Sequence, residues 1–263
     1  MSGRTLPLAV AALMGIAALG DIATSPSLAA TQKSEAEIEE IVRNYLLENP
    51  EVIFESVQRY REKQEALEAA AAAETARGYL PELRSNPAGQ VVPAPSGDAE
   101  IVVVEFFDYN CSACRFAADF VFELQEDDPN IELVFQELPV TNRLSRGPSL
   151  LALSVADTDG YVGFHRAMMK HDSLIDQDVA ASIAKDLGLP QAAIRSAMQE
   201  GDFQASLHER LDASMDLADE LGIGATPAFI VASADGEYVR VFEGFYGPNV
   251  MEMIAEAKNA SRK

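Results

Sequence analysis

The chain has two cysteines in 263 residues, Cys111 and Cys114, and two residues separate them. They lie in VVVEFFDYNCSACRFAADFVFELQ, residues 102–125, just past an apolar run. Thiols at this spacing can form a structural disulfide, hold a soft metal or cycle as a redox-active dithiol. A disulfide stabilises chiefly by restricting the unfolded chain, and a four-residue loop gives only about 2 kcal/mol by that route. So small a ring also closes with strained geometry. A structural zinc needs four ligands, and His165, His171 and His208 stand far from the pair in sequence. Two thiolates do suffice for Cu(I), so copper stays open beside redox chemistry. For a redox dithiol the placement is favourable. At a helix start, unpaired N–H groups and the helix dipole stabilise a thiolate on the first cysteine. Cys111 is then the exposed attacking sulfur, and Cys114, one turn in, resolves the mixed disulfide.

Around the pair, Ile101 to Phe107 reads as a buried strand interrupted by Glu105. Cys111 to Gln125 reads as a helix with Phe116, Phe120, Val121 and Leu124 on one side. Ile131 to Leu138 is a second strand, which makes a βαβ unit and favours a parallel pair. From Gly147–Pro148 to Leu221 the pattern is helical. Ala228 to Val231 and Tyr238 to Phe242 are strands joined around Asp235–Gly236, a hairpin signal. Pro248–Asn249 starts a closing helix with Val250, Ile254 and Ala257 on one face. The order βαβ, helical block, ββα predicts an α/β fold over residues 98–263.

Upstream, Arg4, the apolar run Leu6 to Gly20 and small residues through Ala30 read as a signal peptide over residues 1–29. The run falls short of the roughly 20 apolar residues that span a bilayer. The mature chain is therefore expected to be exported, with a retained amphipathic anchor as the alternative. Residues 31–78 read as a helical stalk. Ser34 with Glu37 forms a capping box, and Ile38, Ile41, Val42, Tyr45 and Leu46 share one face. Asn49–Pro50 opens a second helix. In it Ile53, Val57, Tyr60, Gln64, Leu67 and Ala71 follow a heptad-like spacing, and Gly78 can end it. This stripe either docks on its own domain or self-associates. Residues 79–97, rich in Pro and Gly, read as a linker with a short edge strand at Val91–Val92. The formal charge of −22 repels phosphate and excludes nucleic acid and anionic membranes as natural partners. GIGATP lacks the lysine and length of a phosphate loop, and no cofactor is implied.

Residues 98–263 resemble the thioredoxin-fold domain of the DsbA family, periplasmic thiol–disulfide oxidoreductases. The resemblance rests on EFFDYNCSAC, on the helical insertion at about 147–222 and on GATPAFIV at 224–231. It implies a cis Pro227 against the dithiol and a Thr226 backbone that binds substrate. It also implies that Glu105 is a buried acid passing protons to and from Cys114, with a partly exposed strand residue as the alternative reading. Ser112–Ala113 lacks a histidine, which predicts a disulfide less oxidising than the family's strong oxidant at about −120 mV. EIEEIVRNYLLENPEVIFESVQRY, with DYNC and Thr226–Pro227, resembles the suppressor-of-copper-sensitivity C-type subgroup. That implies a homo-oligomer, trimer or dimer, held by the stalk, with isomerase activity on misfolded proteins. A membrane redox partner domain and Cu(I) are the further partners it implies. His165 in FHRAMM reads as a packed or surface histidine of the helical insertion, and Met168 and Met169 as core in preference to copper ligands.

Overall fold

The computed structural model describes residues 33–85 and 87–261; the signal peptide expected over 1–29 lies outside them. Contacts divide the chain into one unit ending at Val57 and another beginning at Gln58.

In the first unit, α1 (Glu35–Glu48) starts at Ser34 with the expected capping box. The Glu37 carboxylate accepts from the Ser34 N–H at 2.8 Å, and the Ser34 hydroxyl accepts from the Glu37 N–H at 3.3 Å. Asn49 behaves differently from expectation. Its side-chain amide donates to the Tyr45 carbonyl at 2.8 Å, so it closes α1 instead of capping α2 (Glu51–Ser85). No residue of α1 is buried. Ile38, Ile41, Val42, Tyr45 and Ile53 all stand about half exposed. Together with Leu46 and Leu47, residues of this stripe line an open groove of ≈ 810 Å³.

The second unit corrects the reading of residues 79–85 as linker. Helix α2 runs through Gly78 and Pro81 to Ser85. An interior glycine costs about 1 kcal/mol and an interior proline about 3. Three buried side chains, Ala76, Leu80 and Leu83, offset this by packing on the sheet, at roughly 1.5–3 kcal/mol for each leucine. Arg77 Nε donates to the Gly236 carbonyl at 2.8 Å, and Arg84 pairs with Glu132 at 2.6 Å.

Beyond it come β1 (Gly89–Val92), β2 (Ile101–Phe107), α3 (Ser112–Asp127) and β3 (Ile131–Glu137). The helical block is α4 (Arg146–Leu153), α5 (Gly160–Met169), α6 (Gln177–Asp186), α7 (Gln191–Met198) and α8 (Asp202–Glu220). The chain closes with β4 (Ala228–Ser233), β5 (Val239–Glu243) and α9 (Gly247–Ala260). The strand order is β1-β3-β2-β4-β5. β2 and β3 are parallel, as the βαβ pattern predicts, and the other pairs are antiparallel. β1 is the expected edge strand.

Strand β2 is buried along its whole length because both of its faces are covered. Ile101, Val103 and Phe107 face a core shared with α3, α9 and the helical block. Val102, Val104 and Phe106 face a second core closed by the end of α2 and by Ala218 to Ile223. By strand parity Glu105 belongs to the first face, beneath α3. On α3 the buried residues are Cys114, Ala117, Ala118, Val121, Phe122 and Leu124. Phe116, expected on that face, is 79% exposed. It stands two positions from Cys114, about 200° around the helix, so the stripe that buries Cys114 turns Phe116 outward.

Candidate active site at the Cys111–Cys114 dithiol

Cys111 is the N-cap of α3, with extended backbone at φ −84°, ψ 119°. Its sulfur accepts from the Cys114 N–H at 3.4 Å, one of the donors a helix start leaves unpaired. Both cysteines are free. When protonated, Cys111 donates to the Thr226 carbonyl at 3.1 Å. Thr226–Pro227 is a cis peptide bond, and this segment lies against the dithiol. It therefore corrects one expectation: Cys111 is only 8% exposed, although Cys114 at 0% is deeper still. The segment is tied to the end of β5 and the residue after it. Gly244 N–H donates to the Pro227 carbonyl at 2.7 Å, and the Glu243 carboxylate accepts from the N–H groups of Gly224 and Ala225.

The two thiols are driven apart in acidity. A hydrogen bond from the Cys114 side chain, helped by the N–H groups of Cys114 and Ala113, pulls Cys111 down to about 5. Burial pushes Cys114 far up, and its bond to Cys111 and the charge of Glu105 add to this. At neutral pH one sulfur is a thiolate and the other keeps its proton.

Glu105 is 1% exposed, and neither carboxyl oxygen has a hydrogen-bond partner among the described residues. Burial, with repulsion from Cys111, raises it to about 8. An unpartnered buried carboxyl is costly. It is neutral over most of the physiological range and interacts electrostatically with both sulfurs.

Sequence reasoning missed a second buried acid. Glu137, at the end of β3, accepts from the hydroxyls of Tyr109 at 2.7 Å and Tyr161 at 3.2 Å. Burial raises it to about 8 as well, against the pull of those hydroxyls. His165 packs among Phe107, Tyr109, Phe135 and Tyr161. Burial, with the charge of Arg166, holds it down to about 3, so it stays neutral. Met168 and Met169 are buried core. Acidic residues inside the two apolar strand runs, IVVVEFF and IELVFQE, were the available signal for both carboxyls. Among the described residues no group of three or more His, Cys, Asp and Glu is arranged to hold a metal ion.

A low-pKa thiol capping a helix, with a buried second thiol one turn on, can carry out thiol–disulfide exchange. Comparison with known proteins places the chain in the same class. The family model described as Thioredoxin matches residues 96–240, and the chain belongs to that family. A second model, the Copper resistance protein ScsC N-terminal domain, matches residues 35–66. No curated protein matches the chain. Among solved structures, the chain is similar to BcfH of Salmonella enterica Typhimurium, at 24% identity and a TM-score of 0.69 over 85% of this chain and 95% of that one. It is similar to a thioredoxin-like oxidoreductase from Silicibacter pomeroyi DSS-3, at 30% identity and a TM-score of 0.57 over 68% and 96%. It is also similar to Proteus mirabilis ScsC in a transitional conformation, at 22% identity and a TM-score of 0.59 over 86% and 97%. The molecule is a thioredoxin-like oxidoreductase whose residues 35–66 match the ScsC N-terminal domain.

Proposed function

We propose that the protein is an exported, periplasmic disulfide isomerase that acts on misfolded polypeptides. The observation that carries the chemistry is the split between the two thiols, Cys111 at about 5 and Cys114 buried and protonated. The Cys111 thiolate attacks one sulfur of a substrate disulfide. A Cys111–substrate bond forms, the substrate S–S bond breaks, and the departing thiolate takes a proton from solvent. In isomerisation that freed thiol, once ionised, attacks another substrate disulfide, and a substrate thiolate finally displaces Cys111. No net electrons are transferred. In the reductive branch Cys114 gives its proton to the Glu105 carboxylate and attacks the Cys111 sulfur. The second substrate thiolate leaves, and two electrons have passed from the dithiol to the substrate. A dithiol domain of a membrane partner then reduces the Cys111–Cys114 disulfide. The Thr226 backbone and Pro227 orient the substrate strand beside Cys111.

Isomerisation gains from several dithiols facing one substrate. The half-exposed stripe and groove of residues 33–53 support assembly of a dimer or trimer through this segment. The test pairs a scrambled-disulfide isomerisation assay with sedimentation of the same sample. The full chain should sediment as an oligomer and isomerise. A version lacking residues 31–57 should be a monomer that reduces disulfides but does not isomerise them. A monomeric full chain sinks the assembly reading.

A copper-carrier function is the second reading, supported by the two thiolates and by the copper-resistance description of the matching N-terminal model. Stoichiometric Cu(I) binding that survives chelator competition, without dithiol turnover, would establish it in place of the first.

A further inference from the structure

The turn Asp108–Tyr109–Asn110 joins β2 to the dithiol, and its side chains reach far from it in sequence. Asp108 accepts from the Asn110 N–H and from the Thr141 N–H, both at 2.7 Å. Its carbonyl accepts from the Cys111 N–H at 3.0 Å. Asn110 is bound more specifically. Its Oδ1 accepts from the Ile175 N–H at 2.8 Å, and its Nδ2 donates to the Ile175 carbonyl at 2.9 Å. This two-bond pairing of an amide with a backbone residue is the one a neighbouring strand would make. Arg115 completes the attachment: Nε donates to the Tyr109 carbonyl at 2.7 Å and Nη2 to the Ser173 carbonyl at 2.9 Å. Residues 173–175, between α5 and α6 in the helical insertion, are thus fastened immediately before Cys111 and immediately after Cys114.

We propose that Asn110 is a positioning residue through which the helical insertion sets the acidity of Cys111. The proposal rests on the dithiol reading above. The Cys111 thiolate depends on donors from the first turn of α3, and hydrogen bonds weaken steeply as their angle opens. The backbone that aims the Cys111 sulfur at those donors is the Asn110–Cys111 peptide. Asn110 fixes this peptide to a loop of the helical insertion, outside β2 and α3. Without the pairing the cap loses its direction, and the thiolate loses part of its stabilisation. Such a residue touches neither sulfur and acts only through the cap.

Titration of the Cys111 thiolate by its ultraviolet absorbance, in the full reduced chain and in Asn110→Ala, is the direct test. Cys111 in the variant should titrate about one unit higher, which is about tenfold less thiolate below that range. The equilibrium constant with glutathione should move by up to the same factor toward a more stable disulfide. A folded variant with the wild-type titration and the wild-type constant overturns the proposal and leaves Asn110 a purely structural residue. Hydrogen exchange in the unmodified protein gives a second test, valid even where the variant fails to fold. Coupling is reciprocal, so the protection factor of the Ile175 amide should rise about tenfold as Cys111 ionises. An Ile175 protection factor that is the same on both sides of the Cys111 titration overturns the proposal. Neither readout uses turnover. A protein that shows both shifts yet turns over no disulfide keeps the positioning role and loses the redox function.

Discussion

The helix of residues 35–48 and the strand of residues 101–107 are both rich in branched apolar and aromatic side chains, and their fates are opposite. Every residue of β2 is buried, and none of α1 is. The strand has hydrogen-bonded neighbours on both edges and packed layers on both faces. The helix shows one apolar stripe, and among the described residues of its own unit nothing buries it. An amphipathic pattern therefore reports that a face can be buried, and not what covers it. A 14-residue helix is also marginal in isolation, so α1 depends on whatever covers the stripe.

The contrast can be broken most forcefully at the dithiol. Cys111→Ser should lower disulfide reduction by at least about a thousandfold, the scale lost when a covalent nucleophile is removed. It should leave sedimentation unchanged. A variant that still turns over would show that the buried region is scaffold and not machinery. A matched pair of truncations sharpens the contrast next. Leu83→Ala removes a side chain buried beneath the sheet and should cost about 2–5 kcal/mol in chemical denaturation. Ile38→Ala, in the exposed stripe, should cost the monomer no more than about 0.5 kcal/mol. Its effect should appear in the concentration dependence of sedimentation. Equal costs at the two sites would erase the distinction.

The smallest effect separates proton from packing. Glu105 is raised from 4.5 to about 8, so its neutral form favours folding fully below the unfolded value, and that contribution is lost as pH climbs toward 8. Glu105→Gln should therefore be more stable than the parent at pH 8, by on the order of 2 kcal/mol, with the gap closing at pH 4. The measurement belongs on the oxidised protein. Reduced Cys111, lowered from 9.0 to about 5, has the opposite slope, with stability lost as pH falls through 5. In the reductive branch the same variant should slow attack by Cys114. Because only the carboxylate accepts a proton, the parent's rate of that step should rise with pH up to about 8. A rate flat across that range denies Glu105 its proton role.

Much of the fold was legible because it is locally encoded. The all-apolar run of β2, the Asp235–Gly236 turn and the stripe Val250, Ile254, Ala257 each announce an element and its buried face. The dithiol was legible for a different reason: close cysteines make a poor staple. What escaped depends on contacts distant in sequence. The passage of α2 through Pro81 is decided by the uncovered underside of the sheet, which no property of residues 79–85 reveals. The covering of Cys111 comes from Thr226, more than a hundred positions away. The pairing of Asn110 with Ile175, and the tyrosines gathered on Glu137, have no periodicity to betray them.

The Glu137 cluster also gives the protein an optical signature. The chain has seven tyrosines and no tryptophan, so its intrinsic emission is tyrosine emission alone. Two of those rings, Tyr109 and Tyr161, are buried with their hydroxyls on one carboxyl oxygen, an arrangement that quenches phenol fluorescence. Unfolding releases both, so the protein should brighten as it denatures.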